Sequence, residues 1–510
     1  MSGLQKPHVV AVPFPALGHF IPFLDLAKLL ASKGLAVSYV ATPVNISLLQ
    51  SHLHQAVKDD LDISLVTLPT PDVEGLEGRE RNDLVPLESR GLIFEMAEKL
   101  QHPFSTWMEE QFHRPTATPP VCVVYDIFMG WAIDTAQKFN VASVLFNTCG
   151  AFAISLMQFI STSISQNTLE KDEEDSLVVS FNLLHPLRLS KHEVGPVFLN
   201  PDLSDSIQRF FFQRLQEIGK GSGILINTFH ELESFYVQHL KYLTAKPVWA
   251  IGPVHSQNLF GGAGNVNTQG KMVGVNEQEL VCWLDSKCPR SVAYVSFGIQ
   301  TALSEEQTHA LGRGLEASGQ PFVWAIKTYP KKELVSSESK TDINSTYLPE
   351  GFLERTKERG LVIRGWVPQL VILSHVSVGA FISHCGWNSA LESISLGVPI
   401  LSWPMFGDQH LNSKLFADLG VGIQFCQHTD GIPDEERVKE AVTMAVTGDK
   451  GEEMRERTEK LKEMATNAIK EQGSSAADLT AFVSDMYKLN SRPTKHKREA
   501  EPSLINPSTE

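Results

Sequence analysis

The stretch HVVAVPFPALGHFIPFLDLAKLLASKGLAVSYVA, residues 8–41, decides the fold. Residues 8–13 form a short apolar run that ends on Pro13, which reads as a buried strand. Residues 14–18 are a turn. Beyond it Phe20, Phe23, Leu24, Ala27, Leu30 and Ala31 recur at helical spacing, and Gly34 supplies the stop. A second strand over 35–41 follows directly. Strand, helix and strand in this order open a parallel sheet, and ligands of such sheets sit beyond the C-terminal strand ends.

Working outward, residues 121–125 are another continuous apolar strand with Asp126 at its C-terminal end, and 223–227 and 248–251 read as later strands of the same sheet. After Gly252-Pro253 the texture changes: 258–271 is rich in Gly and Asn, lacks periodicity and reads as an interdomain linker. The α/β rhythm then restarts with strand 291–297, helix 304–318 and strand 322–326, followed by strands 378–383 and 399–403. Helices are expected at 435–447, 452–471 and 475–489, the last crossing back onto the first domain. The architecture expected is α/β, with two Rossmann-like doubly wound domains facing across a cleft. Its boundaries are 1–255 for the first domain, 256–272 for the linker, 273–472 for the second domain, 473–490 for the crossing helix and 491–510 for a disordered tail. Residues 170–175 read as a solvated loop and 331–346 as a surface insertion.

Composition narrows the function. A chain of 510 residues, 42% hydrophobic, can bury large cores, and its net charge of -15 argues against nucleic acid or an anionic membrane as partner. No apolar run is long enough to span a bilayer or to serve as a signal-peptide core. The six cysteines (Cys122, Cys149, Cys282, Cys288, Cys385, Cys426) form no CxxC pair, so structural disulfides and zinc are not expected and a cytoplasmic location fits. Asn45-Ile46-Ser47 and Asn344-Ser345-Thr346 are then chance sequons. No GxGxxG follows the first strand, against a nicotinamide-dependent dehydrogenase, and 219–223 lacks the GxSxG spacing of a serine hydrolase.

The chemistry concentrates in Trp366-Val367-Pro368-Gln369 … His384-Cys385-Gly386-Trp387-Asn388-Ser389 … Glu392 … Trp403-Pro404 … Asp408-Gln409. Trp366 in a loop setting offers a stacking face, with the backbone of Val367 beside it. From Ser383 to Ser389 a strand end, a glycine and an Asn/Ser pair open a helix, where free N–H groups and the dipole favour a diphosphate. Glu392, one turn on, is a hydrogen-bond acceptor for sugar hydroxyls, and Asp408-Gln409 can bond several hydroxyls at once. Blander readings exist: Trp366 as core, Asn388 and Ser389 as N-caps. His384-Cys385 has no further ligand at metal-binding spacing, so no metal is expected.

This segment closely resembles the sugar-nucleotide signature of plant family-1 UDP-glycosyltransferases, enzymes of the GT-B fold. The resemblance implies that Trp366 stacks on uracil, Val367 pairs with its edge and Gln369 reaches the ribose together with Glu392. It implies that His384, Asn388 and Ser389 contact the diphosphate, and that Asp408 and Gln409 hold the hexose. Gln409 and Trp387 match the glucose-using pattern, so UDP-glucose is the expected co-substrate, with no other cofactor and no metal. One departure stands out. Ile299 follows the strand where Ser or Thr is common, so Gln300 or Thr301 substitutes or the contact is missing.

Transfer to a hydroxyl needs a base, and His19 is placed for it where the first strand's turn enters the first helix. The helix N-terminus disfavours imidazolium, and Asp126, at a neighbouring strand end, can fix the tautomer. Residues 13–22 and 125–128 resemble the family's catalytic-His loop and catalytic-Asp strand. Asn227-Thr228-Phe229-His230-Glu231-Leu232-Glu233 and Trp283-Leu284-Asp285 extend the likeness over most of the chain. The resemblance implies a metal-independent, inverting in-line displacement that gives a β-glucoside and UDP, by a monomeric enzyme. Apolar walls at 14–17, 127–131, 146–152 and 210–212 suit a small aromatic acceptor such as a flavonoid or other phenolic. Kept beside this are an enzyme of the same fold using another UDP-sugar, C-glucosylation, a terpenoid or sterol acceptor, and a catalytically silent UDP-sugar-binding protein.

Overall fold

The strands of the first half are β1 (His8–Val12), β2 (Ala36–Ala41), β3 (Ile63–Thr67), β4 (Cys122–Tyr125), β5 (Ala142–Asn147), β6 (Glu170–Lys171), β7 (Leu177–Val179), β8 (Leu187–Leu189), β9 (Gly223–Ile226) and β10 (Val248–Ala250). Those of the second half are β11 (Met272–Val273), β12 (Val292–Ser296), β13 (Phe322–Ile326), β14 (Gly360–Gly365), β15 (Val378–Ser383), β16 (Ile400–Ser402) and β17 (Gly422–Gln424). The structure is a computed structural model that describes residues 5–46, 49, 60–85, 89–114, 118–171, 177–179, 187–199, 201–255, 272–273, 275–298, 300–301, 303–326, 348–426 and 431–491.

Two seven-stranded sheets result, ordered β10-β9-β5-β4-β1-β2-β3 and β11-β14-β13-β12-β15-β16-β17. Every pairing in both is parallel except the antiparallel edge β11–β14. Parallel strands need crossover helices on both faces, which is why β1, β4, β12 and β15 are buried throughout and read as unbroken apolar runs. In each sheet the winding reverses at one point, between β1 and β4 in the first and between β12 and β15 in the second. Loops leaving the strands there diverge to opposite faces and open a crevice at the C-terminal ends. Val12 pairs with Tyr125, so the chain leaves β1 and β4 at the same level.

The first helix, Leu17–Ser32, buries Phe20, Phe23, Leu24, Ala27, Leu30 and Ala31 against the sheet, with Pro22 inside it. In the second domain the helix Glu305–Ser318 begins on a capping box between Ser304 and Gln307. The C-terminal helix, Ser474–Asn490, packs on the first domain: Leu479, Phe482 and Met486 join the core cluster of Trp249 and Ile251.

The structure alters some expectations. Glu170–Lys171 is not a solvated loop but the edge of a small antiparallel sheet, β6-β7-β8; residues 172–176 lie outside the described residues. The linker lies outside them too, except Met272, which already pairs in β11. Ile299, the 331–346 insertion and the tail from 492 onward likewise fall outside the described residues. No described helix is long and apolar enough to cross a membrane.

Candidate active site

The two sheet reversals face each other across the domains, where Asn388 meets Gly18 and Asp408 lies near enough to His19 to act on its charge. His19, in the first turn after β1, places Nδ1 2.7 Å from Asp126 Oδ2, while Asp126 Oδ1 accepts from the Phe128 N–H at 3.0 Å. Asp126 is fully buried, so the ion-pairing geometry is fixed by the backbone rather than by solvent. Thr148, at the end of β5, places Oγ1 3.3 Å from the same His19 nitrogen, a partner that nothing local in the sequence announces. With Asp126 on Nδ1, the ring presents Nε2 to the cleft.

Burial pulls the His19 pKa down, but Asp126, by charge and hydrogen bond, and Asp408 across the cleft outweigh it; the net direction is up. This corrects the expectation that the helix N-terminus sets the balance towards the neutral ring. Two carboxylates close by favour the charged ring.

Around His19 lies an aromatic cluster. Phe14 and Phe128 stand 5.5 and 5.6 Å from its ring, Phe94 packs on both, and Phe210 meets Phe94 edge to face beyond. Phe94, on the helix Gly91–Lys99, is a member of this cluster that local patterning did not single out. Two expected walls turn elsewhere: Phe146 packs on Phe23 on the far side of the sheet, and Phe212 packs on Phe198.

On the facing domain, Trp366 is half-buried in the loop after β14, with Val367 buried behind it. Gln369 is the centre of a network: its Oε1 accepts from Tyr294 at 3.1 Å, and its Nε2 donates to Ser389 Oγ at 3.0 Å and to Glu392 Oε2 at 2.8 Å. Burial pushes the Glu392 carboxyl up to about 7, the Gln369 amide opposing and Asp25 of the first domain adding to it. Asn388 and Ser389 are not N-caps. The helix Trp387–Ser395 starts on Gly386 with no side-chain cap and no acid in its first turn, so its N-terminus faces the cleft bare.

His384 is wedged between glycines: a Cβ on Gly298 would lie 2.9 Å from its Cε1, and one on Gly386 2.6 Å from its Nε2. Burial drives its pKa down to about 4, so the ring is neutral and can only donate or accept a hydrogen bond. Asp408 accepts from Asn412 Nδ2 at 2.8 Å, and burial raises its pKa. Gln409 is buried, and its Oε1 accepts from the N–H groups of Met405 and Phe406. Its amide nitrogen therefore carries its remaining donors. Trp387 behaves differently from its neighbours. Its indole is buried, donates to Asn227 O of the first domain at 2.7 Å, and stacks on Phe416. Arg90 also crosses the cleft, donating to Gln300 O at 2.6 Å. Among the described residues no three His, Cys, Asp or Glu side chains gather as metal ligands do.

Residues 23–449 match the family described as UDP-glucoronosyl and UDP-glucosyl transferase. The chain belongs to this UDP-glycosyltransferase family. Among relatives, the scopoletin glucosyltransferase of Nicotiana tabacum is 35% identical, over 94% of this chain and 98% of that protein. The UDP-glucose flavonoid 3-O-glucosyltransferase 7 of Fragaria ananassa is 34% identical, over 95% and 97%. Among solved structures, UGT73P12 of Glycyrrhiza uralensis with glycyrrhetinic acid 3-O-monoglucuronide superposes with a TM-score of 0.81 at 27% identity, covering 97% of this chain and 98% of that one. A glycosyltransferase must hold a donor and an acceptor in line. In this UDP-glycosyltransferase one side of the crevice carries polar groups and a bare helix N-terminus, and the other carries aromatic rings around a paired histidine.

Proposed function

We propose that this glycosyltransferase moves glucose from UDP-glucose to a hydroxyl of a small aromatic acceptor, a flavonoid or another phenolic, with inversion to a β-glucoside. The observation that carries the reading is the His19–Asp126 pair at 2.7 Å, lodged among Phe14, Phe94 and Phe128 and facing the second domain's polar rim. The acceptor O–H gives its proton to His19 Nε2 as the oxygen bonds to the anomeric carbon and the bond from that carbon to the diphosphate oxygen breaks. Asp126 stabilises the imidazolium so formed. UDP leaves against the N-terminus of the helix Trp387–Ser395 and the donors of His384, Asn388 and Ser389. Trp366 stacks the uracil, Gln369 and Glu392 hold the ribose, and Asp408 with the Gln409 amide nitrogen holds the hexose.

The reading draws support from relatives named for glucosylating scopoletin and flavonoids. It is tested by incubating the protein with UDP-glucose, UDP-galactose or UDP-glucuronic acid and a panel of phenols, followed by UDP-release assay and mass spectrometry of products. A phenolic β-glucoside formed fastest with UDP-glucose is expected. Transfer only to terpenoids, transfer of another sugar, or UDP binding without turnover would each replace the reading.

A further inference from the structure

The donor helix is fastened to the acceptor domain at two neighbouring residues. Trp387 Nε1–H donates to Asn227 O and, one residue on, Asn388 Nδ2 donates to Gly18 O, both at 2.7 Å. Neither acceptor is incidental. Gly18 O lies four residues before Pro22, inside the helix Leu17–Ser32. Proline has no N–H, so the carbonyl that an ordinary residue at 22 would take into the helix ladder is left for an outside donor. The seat for Trp387 is equally specific. A Cβ at Gly150 would lie 2.8 Å from the indole and 2.9 Å from Glu233 Oε1, so only glycine admits the ring there. Glu233 is buried and accepts the Ala151 and Phe152 N–H groups at 2.9 and 2.7 Å, which pins the helix that begins beside Gly150. Asn227 and Glu233 bound the Asn227–Glu233 motif, which the transfer chemistry itself does not use.

We propose that Trp387 and Asn388 form a two-point interdomain latch, with the carbonyls of Asn227 and Gly18 as its sockets, that sets the distance between the diphosphate-binding helix and the His19 base. The inference rests on the transfer reading, since it concerns the spacing that transfer requires. His19 directly follows Gly18, so the second socket lies in the base's own turn. A reacting centre misplaced by about 1 Å loses on the order of a hundredfold in rate. Trp387 is a positioning residue, Asn388 adds the latch contact to its place on the diphosphate, and Pro22 acts through Gly18 O and Asn388.

Two variants test the latch. Pro22→Ala restores an N–H that competes for Gly18 O, and Trp387→Phe keeps a ring in the seat but removes its N–H. The measurements are kcat and KM for UDP-glucose and a phenolic acceptor, the Kd for UDP by calorimetry, and hydrogen exchange. Each variant is expected to lower kcat roughly tenfold or more while the UDP Kd stays within about twofold, and to speed exchange at 14–22 or 227–233. Unchanged kcat in both, or a loss of UDP affinity that matches the loss in turnover, would overturn the latch; the latter would make these side chains plain donor ligands. Pro22→Ala keeps the test standing if Trp387→Phe does not fold. Should the wild type transfer no sugar at all, the functional reading fails, while the exchange experiment still decides the latch: unchanged exchange in both variants sinks it.

Discussion

His19 is held between opposing influences, and their balance sets its pH behaviour. Burial disfavours the imidazolium, and the carboxylates of Asp126 and Asp408 more than restore it, so its pKa lies above the ordinary 6.5. A base must be deprotonated to act, so kcat/KM is expected to fall as pH drops through a value above 6.5, not below it. Asp126→Asn should move that acid limb down and cost on the order of 10²–10⁴ in rate, because tautomer and imidazolium support go together; a pH–rate profile that does not move would dismiss the pair. Glu392 gives a second titration. Its carboxyl stands at about 7 in the free protein, and ribose hydroxyls donate best to the ionised form. UDP-glucose binding should therefore weaken below pH 7, by at most about tenfold per unit for a single coupled proton. Glu392→Gln should flatten the dependence, as read by calorimetry between pH 5.5 and 8. At this scale His19, Asp126 and Glu392 were legible because their places follow from strand ends and helix turns. Thr148 and the indole bond of Trp387 were not, since their partners lie 129 and 160 residues away in the chain.

Helix starts differ in how their free N–H groups are met. The helices Glu277–Asp285, Glu305–Ser318 and Glu435–Thr447 are capped by Asn276, Ser304 and Asp434, and all carry acids in the first turn. Their caps satisfy orphan N–H groups and complement the dipole, so Ser304→Ala should cost about 1 kcal/mol of stability and leave kcat/KM alone. Like Leu17–Ser32 and Ser474–Asn490, the helix Trp387–Ser395 has neither side-chain cap nor acid. Ser389→Asp supplies one, and the expected outcome is a trade: stability rises by about 0.3–1 kcal/mol from the dipole while UDP affinity falls from charge repulsion. A rise in both, by thermal unfolding and calorimetry, would show that no diphosphate sits there. The major elements were readable because Ser304-x-x-Gln307, Gly34 and the apolar strand runs are local signals. The sheet β6-β7-β8 was not, because strands of two or three residues carry no period to detect.

Across the whole molecule, the restart of the α/β rhythm after Gly252-Pro253 foretold two sheets, but not how they hold each other. That depends on pairs such as Asn388 with Gly18, which no window of sequence contains. The C-terminal helix is the other tie. Asp478 accepts from the Ala250 N–H at 2.7 Å and lies 2.9 Å from His230 Nε2, Ser475 donates to Gly252 O at 2.6 Å, and Phe482 meets Trp249 edge to face at 5.3 Å. Phe482 is fully buried in the core cluster of the first domain, although its helix follows the second. Phe482→Ala removes the ring and leaves a cavity, a loss of about 3–5 kcal/mol, and that loss falls on the acceptor domain. Denaturant unfolding should therefore bring forward the transition that destroys the His19 environment. UDP should still bind the second domain with near wild-type affinity, because none of the residues proposed to hold it belongs to the core cluster of Phe482. Retention of both stability and turnover in Phe482→Ala would mean that the helix is an appendage. Loss of UDP affinity along with acceptor-domain stability would mean that the two domains unfold as one cooperative unit, the C-terminal helix being the element that couples them.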